Sequence, residues 1–114
     1  MTRLADTTDR LAIKVAGGTA TRFQEELLGR VLLDYAAGAA QAAVSAGLLR
    51  PCDADDAASA GALRAYRKLS QFRPGKAGLN TWVSAITRSV VGDIRRRYAR
   101  EAQYVADDTD ASRL

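Results

Sequence analysis

From Leu79 onward, apolar residues recur at Leu79, Trp82, Val83, Ile86, Val90 and Ile94, in steps of three and four. That spacing lays one hydrophobic stripe along an α-helix reaching about Arg100, and such a stripe must be buried against other elements. No segment alternates apolar and polar residues with a period of two, so no strand is expected to cover it. The partners must be other helices, and the sequence marks where they start. Thr21 can cap exposed amides, Gln24 three residues on completes a capping box, and Glu25 and Glu26 suit the positive end of the helix dipole. Phe23, Leu27, Val31, Leu32 and Tyr35 form the expected core stripe of that helix.

The run AAGAAQAAVSAG that follows holds good helix formers, with Gly38 and Gly47 as weak points. Its small side chains let a neighbouring helix approach closely. Pro51 ends the segment. Asp53, Asp55 and Asp56 then supply an N-cap and first-turn charge for a further helix, with Leu63, Tyr66 and Leu69 inward and Arg64, Arg67 and Lys68 pointing elsewhere. Pro74, Gly75 and Gly78 in QFRPGKAGLN interrupt the helical pattern, and Asn80 or Thr81 restarts it. The expectation is an all-α fold, a compact bundle of three to four helices over residues 21–104. A flexible or partly helical lead-in covers 1–20, and an acidic disordered tail covers 105–114. A chain of 114 residues suits one such domain.

Several function classes drop out. No apolar run approaches the roughly 20 residues of a membrane-spanning helix, and the stretch from Ala36 to Ala46 is interrupted by polar residues. Arg3 is followed by Asp6, Asp9 and Arg10 rather than by a hydrophobic signal, so a cytoplasmic protein is expected. Cys52 is the sole cysteine and there is no histidine. That excludes an internal disulfide and a zinc or transition-metal cluster, and it leaves a Ser or Cys nucleophile without an imidazole base. No catalysis, metal or cofactor is expected.

The formal charge of +4 conceals an asymmetry. Between positions 64 and 100 ten basic residues face only Asp93, a local balance of +9, so the remainder carries −5. Seen alone, a basic face is a solvated surface or a polyanion-binding one. The dominance of arginine favours the second, because guanidinium groups match phosphate geometry and stack on bases.

The letters select among helical DNA binders. An acidic start at Asp53 to Asp56 is followed by Tyr66-Arg67-Lys68-Leu69-Ser70-Gln71-Phe72, a loop from Arg73 to Asn80, the opening Thr81-Trp82, then Asp93 and Arg95 to Arg97. In order and spacing this resembles region 2 of the sigma-70 family, especially its extracytoplasmic-function branch, over about two-fifths of the chain. The resemblance implies a module that binds the largest subunit of RNA polymerase core and captures the non-template strand of the minus-ten promoter element. It implies that the loop from Phe72 to Asn80 forms a pocket for a flipped base, with Asn80 offering donor and acceptor groups, and that Arg73 and Lys76 hold phosphates. Ser84, Thr87, Arg88, Val91 and Arg95 are expected on the outward, DNA-reading side of the last helix, with Arg88 the preferred sequence reader. Trp82 either stacks on a base or joins the core, the core being favoured by its register with Ile86. Arg95, Arg96 and Arg97 spread around the helix, so no more than two face one duplex; positive charge there also suits the helix dipole.

For polymerase the resemblance implies a docking face that includes Asp56, Ser59, Ala60, Leu63, Arg64 and Arg67. The chain departs from the family there, with Ala57-Ala58-Ser59-Ala60-Gly61-Ala62 where polar and aromatic docking residues are common. No region 4 is expected after Arg100, so a partner such as a separate region 4 protein would have to supply the second promoter contact; an anti-sigma factor is a further candidate partner. Two other readings stand beside this one. The chain could be a sigma-derived DNA-binding regulator without productive polymerase docking, or a helical protein-interaction module whose Ala-rich helix pairs with another subunit.

Overall fold

The computed structural model describes residues 5–112, with side chains described as far as residue 105. Four α-helices follow one another: α1 (Thr7–Ala16), α2 (Arg22–Ser45), α3 (Ala54–Arg67) and α4 (Leu79–Ser112). Single 3₁₀ turns at Pro51–Asp53 and Leu69–Gln71 flank α3. The fold is all-α, with α2, α3 and α4 packed on one another and α1 laid mainly across α2. No helix among the described residues is long and apolar enough to cross a membrane.

α2 starts where the sequence predicts. The Thr21 hydroxyl accepts from the Gln24 amide at 3.1 Å, and the Gln24 side chain accepts from the Thr21 amide at 2.9 Å. Its core stripe differs. Leu28, Leu32, Ala36, Ala40 and Ala43 are buried, whereas Phe23 and Leu27 are exposed and Val31 and Tyr35 half-buried. Spacing alone allows stripes rotated by one residue, and the Ala-rich C-terminal half selects this one because only that line admits α3 at close range.

α3 inverts the expected pattern. Ala54, Ala57, Ala58, Gly61 and Ala65 face the core, while Leu63 and Tyr66 lie exposed. Gly61 sits against Thr87 of α4, and a methyl group built there would lie 3.0 Å from the Thr87 Cβ and overlap its hydroxyl. Close helix approach therefore uses the small side chains and leaves the large ones outside. Asp53 stands at the N-cap position but makes no side-chain cap; it accepts instead from Arg50 Nε at 2.9 Å and Tyr98 OH at 2.8 Å. The Arg50 guanidinium also donates to Tyr98 OH and lies 4.1 Å from the centre of its ring. These contacts tie the α2–α3 connection to α4, and the bond from Arg50, followed by that from Tyr98, holds the Asp53 carboxyl below its ordinary range.

The two ends of the chain add detail to the expectation. Within the lead-in expected to be flexible or partly helical, Thr7–Ala16 is a helix, because Asp6 and Asp9 cap each other reciprocally and Ala12 is fully buried. α4 passes Arg100 and continues through Ser112, since no proline or glycine follows Gly92 to stop it. The last two residues of the expected acidic tail lie outside the described residues. Leu79, Val83, Val90 and Ile94 are buried as the spacing predicts, with Trp82 and Ile86 half-buried against them.

Candidate nucleic-acid interface

The polar face of α4 borders an open groove of about 620 Å³ between α4 and α2. Asn80, Ser84, Arg88, Val91 and Arg95, each three or four residues from the next, form its α4 wall. The opposite wall begins with Asp34 and Tyr35 and continues with Gly38, Ala39, Ala42 and Ala46. Those short side chains keep the wall low and smooth. One Ala-rich helix thus does two things: Ala36, Ala40 and Ala43 admit α3, while neighbouring positions leave the groove open.

Arg88 and Arg95 are exposed and make no ion pair among the described residues. They face solvent as available cations on one helix side. The Ser84 hydroxyl donates to Asn80 Oδ1 at 3.3 Å, which leaves the Asn80 amide group directed elsewhere. Thr87 and Val91, expected on the outward side, are buried at 0% and 4% exposure. The reason is that α4 is covered by two helices rather than one, so its buried arc widens. Thr87 turns its hydroxyl onto the Val83 carbonyl at 2.9 Å beneath Gly61, and Val91, though buried, still lines the groove.

The loop before α4 is held from several sides. Phe72 is buried, and its ring centre lies 5.4 Å from that of the half-buried Trp82 at an interplanar angle of 49°. Arg73 folds back and donates to the carbonyls of Ser70 at 2.8 Å and Phe72 at 3.1 Å, while Lys76 is exposed. At the loop's end Asp9 Oδ1 accepts the Leu79 amide at 2.8 Å in a buried bond spanning 70 positions. Sequence reasoning did not assign Asp9, Asp34 or Tyr35 to this region. The reciprocal Asp-x-x-Asp box from Asp6 to Asp9 was a legible sign of α1, but nothing local pointed across to Leu79.

Asp93 is the one acid in the basic stretch, and it engages two of the ten cations: Arg64 at 3.1 Å across the α3–α4 contact, and Arg96 one turn along. Those bonds, Arg64 first, hold its carboxyl below the ordinary range. Arg97 lies 5.9 Å from the centre of the Tyr98 ring. Of the three consecutive arginines, only Arg95 borders the groove.

On the far side, Asp56, Ser59, Ala60, Leu63 and Arg67 are exposed along one stripe of α3, with Arg64 half-buried beside them. Ala57, Ala58 and Gly61 from the divergent string are core residues and do not belong to that surface.

A helical bundle that sets Arg88 and Arg95 on one wall of an open groove has the shape and charge that suit a polyanion. The family model described as sigma-70 region 2 matches residues 39–101, more than half of the 114 residues. The chain therefore belongs to the sigma-70 region 2 family, a non-enzymatic transcription-factor domain that binds RNA polymerase core and the minus-ten promoter element. No curated protein and no solved structure matches it.

Proposed function

We propose that this chain captures the non-template strand of a minus-ten element along the α2–α4 groove and the loop from Phe72 to Asn80, while the exposed stripe of α3 docks on the clamp helices of the largest polymerase subunit. The observation that carries this reading is the groove wall itself, where Asn80, Ser84, Arg88 and Arg95 share one face and both arginines are available. Arg88 reads a base edge, Arg95 and Lys76 meet phosphates, and Asn80 meets the flipped base. Arg73 shapes the loop through its two carbonyl contacts and turns to phosphate only on binding. Phe72 and Trp82 wall the pocket from within, and Arg96 and Arg97 add background charge. Thr87 and Val91 act by supporting the surface. The Thr-Trp opening and the Asp-Arg run support assignment to the extracytoplasmic-function branch, and the site of action is the cytoplasm, where polymerase and promoters meet.

Docking is supported by the orientation of α3. Three of the small residues that depart from the family pattern face the core, so the outer surface keeps Asp56, Leu63, Arg64 and Arg67. This favours initiation over a regulator that has lost polymerase. A separate region 4 protein would add promoter affinity, and an anti-sigma factor would cover the same exposed stripe. The test is transcription by core polymerase on an open-bubble template, together with binding to single-stranded oligonucleotides. Stimulated initiation and a preference for one short sequence over its scrambled form are expected. Equal affinity for both strands at moderate salt, with no retention of core, would overturn the reading.

A further inference from the structure

We propose that Asp9 is a positioning residue for the nucleic-acid surface, through which α1 fastens the α4 wall of the α2–α4 groove while its neighbour Thr8 holds the α2 wall; this rests on the reading of that groove as the promoter-strand site. Asp9 is fully buried, and a carboxylate is costly to bury unless its oxygens are matched by donors. Both oxygens are matched. Oδ1 accepts the Leu79 amide at 2.8 Å, and Oδ2 accepts the Asp6 amide at 3.1 Å. The first bond supplies from α1 a side-chain acceptor that Gly78, the residue before α4, cannot offer, and the first amides of a helix have no carbonyl partner within it. Leu79 directly precedes Asn80, the first residue of α4 on the groove wall.

The neighbouring residue reaches the opposite wall. Tyr35 OH donates to Thr8 Oγ1 at 3.2 Å, and Thr8 in turn donates to Asp6 Oδ1 at 2.9 Å. Tyr35 borders the groove across from Asn80. Consecutive residues of one short helix therefore hold the two walls at a set separation, and the Asp6 box ties them together. α1 lies before residues 39–101, the segment that carries the family match. Apolar packing alone would dock α1; a buried carboxylate aimed at one amide sets the register of α4 as well.

The experiment compares the full chain with Asp9→Ala and Asp9→Asn. Three readouts are taken: affinity for the preferred single-stranded sequence against its scrambled form, retention on core polymerase, and hydrogen exchange of the amides from Leu79 to Val83. Asp9→Ala is expected to lose roughly tenfold to a hundredfold in sequence preference, since small displacements of a positioned site carry effects of that size. Exchange should rise at the start of α4 while core retention holds. Asp9→Asn keeps one carbonyl oxygen for Leu79 and should lose less, which keeps the question answerable if the alanine variant fails to fold. Equal losses in DNA preference and core retention would reduce Asp9 to a fold-wide structural role and overturn the proposal, as would unchanged preference with unchanged exchange. If the wild-type chain shows no preference between the oligonucleotides, the promoter-strand reading fails, and the exchange at Leu79 decides the fastening by itself.

Discussion

The groove between α2 and α4 and the outer stripe of α3 are built from the same kind of sequence, alanine-rich helix, used in opposite senses. In the groove, small residues of α2 are partly outside and make room, so that Arg88 and Arg95 of α4 stand over an open channel. In α3 the small residues are inside, and the large ones are displaced outward, with Leu63 at 50% and Tyr66 at 44% exposure. One surface is shaped by what is missing from it, the other by what the packing expels. The comparison teaches that composition does not tell which side of an alanine-rich helix is functional; the position of its neighbour does. It also separates two chemistries, because the groove offers cations to a polyanion whereas the α3 stripe offers apolar area rimmed by charge.

The largest expected effect tests the packing that creates both surfaces. Gly61→Leu would drive a side chain into Thr87 and should destabilise the domain by about 1–3 kcal/mol. At about 4–8 °C per kcal/mol for a domain of this size, thermal unfolding followed by circular dichroism would show it plainly. An unchanged melting temperature would remove the basis for the inverted α3. Next, Arg88→Ala and Arg95→Ala should part company. Arg88→Ala is expected to weaken the preferred oligonucleotide roughly tenfold and to relax sequence preference. Arg95→Ala should weaken all single strands alike and lower the salt slope by about 0.7. Identical behaviour of the two would merge base reading and phosphate binding into one undivided basic face.

On the other surface, Leu63→Ala should reduce retention on core polymerase by roughly tenfold, as loss of an apolar anchor does, while leaving melting and oligonucleotide binding intact. A matching loss of thermal stability would place Leu63 back in the core, where its spacing first put it. The smallest effect concerns the join between α3 and α4. Asp93 titrates below its ordinary 3.8 because Arg64 and Arg96 donate to it. Its contribution is thus fully present above that ordinary value and is lost as pH falls through the lower folded-state value. Melting temperature of the wild type should fall slightly more across that acid window than that of Asp93→Asn. Parallel curves would show that this exposed ion pair adds nothing measurable.

Much of this is legible in the sequence alone. The capping box at Thr21, the Pro74-Gly75 break, the buried positions Leu79, Val83, Val90 and Ile94, and the ordered letters of sigma region 2 all depend on neighbours within a few positions. Local bonding and helical period suffice for such features, and the family match over residues 39–101 agrees with the letters. The exposure of Phe23 and Leu63 and the burial of Thr87 were not legible, because a helix with apolar residues on more than one side has several possible stripes. Choosing among them requires knowing which helices lie beside it.

By itself, then, the sequence determined that the fold is helical, where α2 starts, the Pro74-Gly75 break before α4, and the arginine-rich stretch from 64 to 100. Tertiary structure alone decided which of those arginines stand over a groove, which are engaged by Asp93, and that Asp9 caps a helix 70 positions away. The physical reason is range. Caps and periodicity act within one or two turns, whereas the burial of Asp9 against Leu79 exists only once the chain has closed and a buried amide must find its acceptor.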